Sequence, residues 1–398
     1  MRKIDLNDFR VATSETARDI NRRLVLNLIR KHQPISRADL SRRSRLQRST
    51  VSAITEELIG DRWVTTGAFG DLPRGRKPMF LHLNGNRAGV IGIDIRPAAT
   101  TIALANLEMR FLSQESLPTG SQAGQFIAEL CRRVRRLMDS CAGVSVEGIG
   151  VALPGRVDLP SNRLCFAPNM GWGPVDFKAP LEAATGVPVE LENAANACAL
   201  AEIWSGIQLE NVRNLVAVTV AEGIGVGMIL NRQLVRGSTG LAGEFGHVTI
   251  EEDGPLCKCG NRGCLEVCAS NTAAVRYFTE AARKEGAELT TQPDFEFVLR
   301  RAEAGDAMAR GALSRMARSL GMGIAMLVAG LAPDVIVVIG EVTRAWKQLE
   351  PVIHKVVSQR LPTKAATRVL PAATGAELRL RGALALVLQK HFWALADV

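Results

Sequence analysis

Between His247 and Cys264 the chain places one imidazole and three thiols within eighteen residues, around the turn Gly260-Asn261-Arg262-Gly263. Zinc in structural sites takes four nitrogen and sulfur donors tetrahedrally, and the pair Cys257-Lys258-Cys259 followed by that turn can bring Cys264 round to the same ion. His247, Cys257, Cys259 and Cys264 complete such a set without a remote ligand, leaving Cys268 as a helix residue four positions on. Two other readings stay open. A redox pair would want the strand-to-helix setting of thiol exchange, which Cys-x-Cys lacks here. An open catalytic zinc would need a water position that four protein ligands do not leave. The adopted reading is a structural zinc. Cys131, Cys141, Cys165 and Cys198 are scattered and are read as ordinary thiols, most of them in the core. No disulfide framework is expected, because the charged N-terminus (Arg2, Lys3, Asp5, Asp8) lacks the apolar run of a secretory signal.

The charge is as uneven as the cysteines. Of a formal +9, the first 80 residues account for +8, with seventeen Lys and Arg against nine Asp and Glu. A basic module on a nearly neutral body suits a polyanion, since phosphate neutralisation supplies most non-specific nucleic-acid affinity. Charge alone would equally fit a solvated basic surface, so the local pattern has to decide.

Ile20, Leu24 and Leu28, with Val25 and Ile29, recur at helical spacing up to Pro34. Ser36 can then cap a short helix, Arg37 to Arg43, with Asp39 at its third position near the positive helix end. After a turn at Ser44 to Gln47, a second helix is expected from about Ser49 to Ile59, with Val51, Ile54 and Leu58 on one face. Ser49, Ser52 and Glu56 lie opposite, flanked by Arg48 and Thr50. Short helix, tight turn and second helix read as a helix-turn-helix, whose second helix enters the major groove. Gln47 and Arg48 are the candidates for base edges, because Gln pairs with adenine and Arg with guanine in bidentate fashion. Ser49, Thr50 and Ser52 complete the proposed contact surface. Strands at Trp63–Gly67 and Met79–Leu83 around a turn at Gly70–Arg76 would form a wing, with Arg74 and Arg76 placed to enter a narrow minor groove.

The run Leu241-Ala-Gly-Glu244-Phe-Gly-His247, followed by Cys257-Lys-Cys259-Gly-Asn-Arg-Gly-Cys264-Leu-Glu266, resembles the signature of the ROK family (repressors, open reading frames and sugar kinases). The resemblance extends from about Ala88 to the end. The basic module resembles that of the xylose- and N-acetylglucosamine-type repressors of the family. Pro154-Gly155-Arg156-Val157-Asp158 and Pro168-Asn169 are similar to motifs of the family's first lobe, and Glu192-Asn193-Ala194-Ala195-Asn196 to the stretch that carries its catalytic base. The resemblance implies an α/β chain, a winged helix-turn-helix followed by a two-lobed, actin-like, sugar-kinase-like fold. It further implies a cleft in which Asn169, Asn193, Glu244, His247 and Glu266 contact sugar hydroxyls, His247 using one ring nitrogen for zinc and the other toward the ligand. Carboxylates and amides suit that task because each can take paired hydroxyl hydrogen bonds.

Three departures bear on activity. The family's kinases carry Asp where this chain has Ala194, and a methyl group cannot accept the sugar's proton. Their first phosphate loop, Asp-x-Gly-Gly-Thr, is here Asp94-Ile95-Arg96-Pro97-Ala98-Ala99-Thr100; proline has no NH to offer a phosphate, and side chains obstruct the approach. A Gly-Gly pair near the nucleotide base has become Gly340-Glu341. Only Gly223-Ile224-Gly225-Val226-Gly227 still reads as a phosphate-cradling turn. The sequence therefore argues against an enzyme and for a DNA-binding repressor of carbohydrate genes whose effector is a sugar or sugar phosphate. The competing readings are an ATP-dependent sugar kinase and a repressor governed by a protein partner; the sign of regulation, repression or activation, is not fixed by helix-turn-helix geometry.

The expected organisation is a DNA-binding module over residues 1–82, a first lobe over 83–193 to which a C-terminal helix (376–398) returns, and a second lobe over 194–375 with the zinc site and dimer contacts. A homodimer or dimer of dimers would meet a pseudo-palindromic operator of double-stranded DNA. Leu320 to Ala332 is apolar but ends at Pro333-Asp334, which is short for a membrane span and suits a buried helix entering a strand at Val335–Ile339. The chain is expected in the cytoplasm, without membrane insertion.

Overall fold

The computed structural model of the chain describes residues 14–69, 79–141, 143–158, 161, 163–167, 170–205, 212–238, 240–287, 292–362, 366–373 and 377–392. Its N-terminal head consists of α1 (Ser14–His32), β1 (Ile35–Ser36), α2 (Arg37–Ser44), α3 (Arg48–Gly60), β2 (Val64–Phe69) and β3 (Met79–Leu83). The expected cap is present: the Ser36 hydroxyl accepts from the Asp39 amide at 3.2 Å, satisfying a donor that the first helical turn leaves open. Val25, Leu26 and Ile29 of α1 and Val51, Ile54 and Leu58 of α3 are buried with Leu40 of α2 in one core. The strands pair in the order β1-β3-β2, closing the sheet of a winged helix-turn-helix. Arg74, Arg76 and the expected turn at the wing tip lie outside the described residues.

The body is a duplication visible in its sheets. The first runs through β4 (Gly89–Asp94), β5 (Ala99–Asn106) and β6 (Phe111–Pro118), then α4 (Ala123–Ser140), β7 (Val146–Leu153), the hairpin β8 (Arg156–Asp158) and β9 (Arg163–Phe166), α5 (Lys178–Thr185) and β10 (Val189–Asn193). After α6 (Ala194–Ser205) the second runs through β11 (Leu215–Val220), β12 (Ile224–Leu230), β13 (Gln233–Leu234), α7 (Leu265–Ala269), α8 (Asn271–Lys284), α9 (Phe295–Glu303), α10 (Ala307–Leu331), β14 (Val335–Ile339), α11 (Trp346–Arg360) and β15 (Arg368–Pro371). The orders β6-β5-β4-β7-β10 and β13-β12-β11-β14-β15 are the same arrangement: three antiparallel strands, then two more added parallel to the first. The complete burial of β4 and β14 reflects strands covered on both faces.

α12 (Leu378–Phe392) returns to the first sheet, lying on β4 and β7, and packs along α6, which lies on β11 and β12 of the second. These two helices therefore form the seam between the halves. Their closeness depends on glycine: a Cβ at Gly382 would sit 1.9 Å from the Ala197 carbonyl oxygen, and one at Gly150 would sit 1.8 Å from that of Ala383. Gly382→Ala accordingly forces the seam apart. We expect a loss of about 1–3 kcal/mol or more, as for overpacking in general, readable as a lowered urea midpoint; an unchanged midpoint would refute the close approach.

Two expectations change here. The apolar helix before Pro333 begins at Ala307 and is 25 residues long, so by length it could cross a membrane; 67% of its most apolar window is buried inside the fold, as in a core helix. Of the four scattered cysteines only Cys198 is buried, whereas Cys131, Cys141 and Cys165 are half-buried, because their elements lie nearer the surface than their apolar neighbours suggested.

Candidate functional site

The ring nitrogen of His247 and the three Sγ atoms of Cys257, Cys259 and Cys264 lie within 4.8 Å of one another. His247 Nδ1 is 3.6 Å from Cys257 Sγ, and Cys259 Sγ is 3.7 Å from Cys264 Sγ. Donors at zinc-like bond lengths on a tetrahedron are about 3.5–3.8 Å apart, so the group can hold a metal ion. The loop is built for it: Thr249 bridges Cys264, Leu256 bridges Arg262, and the Cys257 amide donates to the Asn261 carbonyl at 2.7 Å. Burial pushes the Cys264 thiol up to about 12, with the neighbouring thiols adding to it. At neutral pH it would stay protonated without a cation to stabilise the thiolate.

A cavity of about 550 Å³ opens beside this cluster. Its walls bring together Gly155, Arg156 and Phe166 from the first half, the start of α6 at Asn193–Asn196, the β11–β12 turn, Glu244, His247 and Glu266, and Arg379 from α12. The far nitrogen of His247, Nε2, faces Glu244 at 3.7 Å, so the imidazole stands between metal cluster and cavity. Glu266 is held by the Ile224 amide, which donates to it at 3.1 Å. Asn193 acts as a brace: its Oδ1 accepts from the Ala195 amide at 2.8 Å and its Nδ2 donates to the Gly155 carbonyl at 2.7 Å. Asn169 lies outside the described residues.

Beneath the α6 terminus, Glu192 is only 3% exposed and is anchored by Arg236 Nε at 2.7 Å and Asn196 Nδ2 at 2.9 Å. Asn196 Oδ1 also borders the cavity, is buried, and has no hydrogen-bond donor among the described residues. The sequence reading missed this acceptor, although Asn196 sits inside a motif it quoted.

In the head, α3 begins with Gln47 at its N-cap, where the side chain makes no capping bond and is exposed together with Arg48 and Ser49. Thr50 and Ser52 are half-buried. Five of the ten described head arginines are paired with acids, Arg18 and Arg22 with Glu57, Arg23 with Asp19, Arg37 with Glu56, and Arg42 with Asp39. Arg45 and Arg48, at the turn and at the start of α3, have no acidic partner among the described residues. Arg30, Arg43 and Arg62 also lack one, so three of these five arginines, Arg43, Arg45 and Arg48, gather around the turn that precedes α3.

Residues 90–390 match the model of the ROK family, and residues 18–65 match that of a winged helix-turn-helix DNA-binding domain. The chain belongs to the ROK family. It is 30% identical to the xylose repressor of Caldicellulosiruptor bescii, over 86% of this chain and 88% of that protein. A crystal structure of a ROK family transcriptional regulator, a homologue of the E. coli MLC protein, superposes with a TM-score of 0.83 at 27% identity, covering 96% of this chain and 98% of the other. A ROK glucokinase from Streptomyces griseus, solved with glucose and AMPPNP, covers 75% of this chain and 99% of its own length, with 30% identity and a TM-score of 0.67. The kinase thus matches the body, while the regulator also matches the head. The body is the actin-like sugar-kinase fold that the ROK resemblance implies.

Within that ROK body the acid of the kinase loop is already paired. Asp94, 2% exposed, lies between Arg96 Nε at 2.7 Å and Arg379 Nε at 2.8 Å. The second contact is an ion pair without hydrogen-bond alignment, and Arg379 is steadied by the Ile95 carbonyl, to which its Nη2 donates at 2.7 Å. Pro97 faces the cavity where an NH would be needed. The glycines expected to form a phosphate turn do something else: Ile224 to Gly227 is already strand β12, and a Cβ at Gly227 would sit 2.2 Å from the Ala195 carbonyl oxygen. They let α6 lie close against the strand. Glu341 is exposed and does not border the cavity. Restoring the missing carboxylate with Ala194→Asp should therefore leave ATP consumption at background in a coupled assay with a panel of hexoses; turnover would mean that Asp94 and Pro97 do not block the phosphate site.

Proposed function

We propose that the chain is a sugar-responsive transcriptional repressor: a winged helix-turn-helix (residues 1–82) on a ROK body (first lobe 83–193 with the helix of 376–398, second lobe 194–375) that binds a sugar without phosphorylating it. The observation that supports this reading is the cavity lined by Glu244, His247 and Glu266 beside a loop that carries Pro97 and whose Asp94 is already held by Arg96 and Arg379. On that wall Glu244, Glu266 and the Nε2 of His247 face the cavity as hydroxyl partners, and Asn169 is assigned to the same wall by the family motif. Asn193, already braced, keeps one amide proton for a ligand. A sugar hydroxyl donating to Asn196 Oδ1 would relieve a buried unpaired acceptor, which costs about 1–3 kcal/mol when left alone.

The metal is a structural zinc held by His247, Cys257, Cys259 and Cys264; four protein donors fill its tetrahedron, so its work is to fix the loop that carries the sugar-facing side of His247. Gln47 and Arg48 read base edges, Ser49, Thr50 and Ser52 line the same approach, and Arg74 and Arg76 of the wing reach the minor groove. The protein acts in the cytoplasm as a homodimer or dimer of dimers on a pseudo-palindromic operator, and the sugar shifts it toward a conformation with lower operator affinity. Xylose repressors among its relatives support repression as the sign. Titrating a panel of pentoses, hexoses and their phosphates against protein bound to a duplex found by genomic footprinting tests this. One sugar should release the duplex; no response to any of them would refute the reading.

A further inference from the structure

α6 has one end in the cavity and the other beneath the head. Its twelve residues span about 18 Å. At the cavity end Asn193 braces it to Gly155 and Ala195 lies against Gly227. At the other end the Arg30 guanidinium of α1 stacks on Trp204 at 4.1 Å from the ring centre, and its Nη1 donates to the Trp204 carbonyl at 3.4 Å. The same guanidinium lies 5.9 Å from the ring centre of Phe392, the last residue of α12, and Trp204 meets Phe392 edge-on at 5.7 Å.

Trp204 and Phe392 belong to different halves of the body, since α6 lies on the second sheet and α12 on the first. Arg30 therefore touches both sides of the seam at once. Asn27 Oδ1 fixes its direction by accepting from Nε at 3.2 Å and Nη2 at 3.1 Å. Burying this cation is unfavourable, and desolvation draws its pKa down to about 10. It stays charged at neutral pH, with two aromatic faces and a carbonyl offsetting part of the cost. The head's other ties to the body go to the first half: Gln33 Nε2 donates to Glu108 at 3.2 Å, Trp63 carries the Arg87 guanidinium over its ring at 4.1 Å, and Trp63 meets Phe392 edge-on at 6.0 Å. From α1 onward the path is stiff, because Arg18 and Arg22 bind Glu57 of α3 at 2.6 and 3.1 Å and the helices share a core.

We propose that Arg30 is the coupling residue between cavity and DNA-reading head: it clasps Trp204 of α6 together with Phe392 of α12, and a change in the angle between the two halves opens or tightens the clasp, tilting α1 and with it α3. This rests on the reading above that the cavity binds a sugar and the head an operator. The clasp is a discrete contact whose state both sites bias, which is what coupling between distant sites requires.

The test compares wild type with Arg30→Met, which keeps the stem but drops the charge, Arg30→Lys, and Trp204→Leu. Each is titrated, free and duplex-bound, with the same panel of pentoses, hexoses and their phosphates. In wild type the sugar should change duplex affinity by a factor on the order of 5–150, the usual range of coupling, and the duplex should change sugar affinity by the same factor. Arg30→Met and Trp204→Leu should bind sugar and duplex separately as wild type does, within about twofold, while both reciprocal factors collapse toward one. Arg30→Lys should recover part of the factor, since an ammonium still favours an aromatic face. Full coupling in Arg30→Met and Trp204→Leu would overturn the proposal, as would loss of sugar or duplex binding itself in both, which would make the clasp a prop. A wild type that binds sugar with no change in duplex affinity would instead refute the functional reading beneath it.

Discussion

Cys264→Ser should leave the protein able to bind its operator but nearly blind to sugar. Cys264 supplies one of four donors, starts α7, and accepts its place from both sides of the loop: its Sγ lies 3.4 Å from the His247 carbonyl, and the next amide, Leu265, donates to Val248 at 2.9 Å. Glu266 follows in the same first turn. Without the thiolate the proposed metal would be lost or weakly held, and His247 and Glu266 would lose their common anchor. Hydrogen bonds to charged groups contribute about 1.5–3 kcal/mol each, so losing one to the sugar weakens binding roughly 10- to 150-fold. Stripping the metal from wild type with a chelator should do the same. The head keeps its own core around Leu26, Leu40 and Leu58 and should still bind duplex. Metal content and sugar calorimetry read the effect together; metal-free protein with undiminished sugar affinity would contradict it.

Arg48→Ala should act in the opposite way, removing operator recognition and sparing sugar binding. Arg48 is exposed, opens α3, and has no acidic partner among the described residues, so its replacement disturbs no packing. A cation at a helix N-terminus is mildly unfavourable, so stability should stay level or rise by a few tenths of a kcal/mol. A bidentate contact to guanine is worth about 1–3 kcal/mol, which predicts a loss of roughly 5- to 150-fold for the operator and relaxed preference at one base pair. Binding to random duplex should change far less. The salt dependence separates a base contact from a phosphate contact: if Arg48 held a phosphate instead, affinity would fall equally for all sequences and the salt slope would drop by about one.

What could be read in advance was whatever the chain settles over short distances. Ser36 caps α2 through a bond to a residue three positions on, and the candidate ligands His247, Cys257, Cys259 and Cys264 gather because one loop holds them. Val51, Ile54 and Leu58 are buried because their spacing on α3 leaves them no other face. Contacts between distant segments were hidden. Gly225 and Gly227 looked like a phosphate turn; the pressure that keeps them small comes from Ala195, in a helix some thirty positions earlier. Arg379 carried no motif, and only the fold brings it to Asp94. Trp204 and Phe392 carried no motif, and Arg30 read as one more basic residue in a basic segment. The ROK resemblance implied the duplicated body and the cleft, but it could not say that Asp94 would be neutralised from within.

The most direct measurement is the operator affinity of the metal-replete protein with and without saturating sugar, with the sugar recovered afterwards and assayed for phosphate in the presence of ATP. A ligand-gated repressor with a closed phosphate loop should lose operator affinity by a factor on the order of 5–150 and return its sugar unmodified. Equal affinity in both conditions, or recovery of a sugar phosphate at enzymatic yield, would contradict the account.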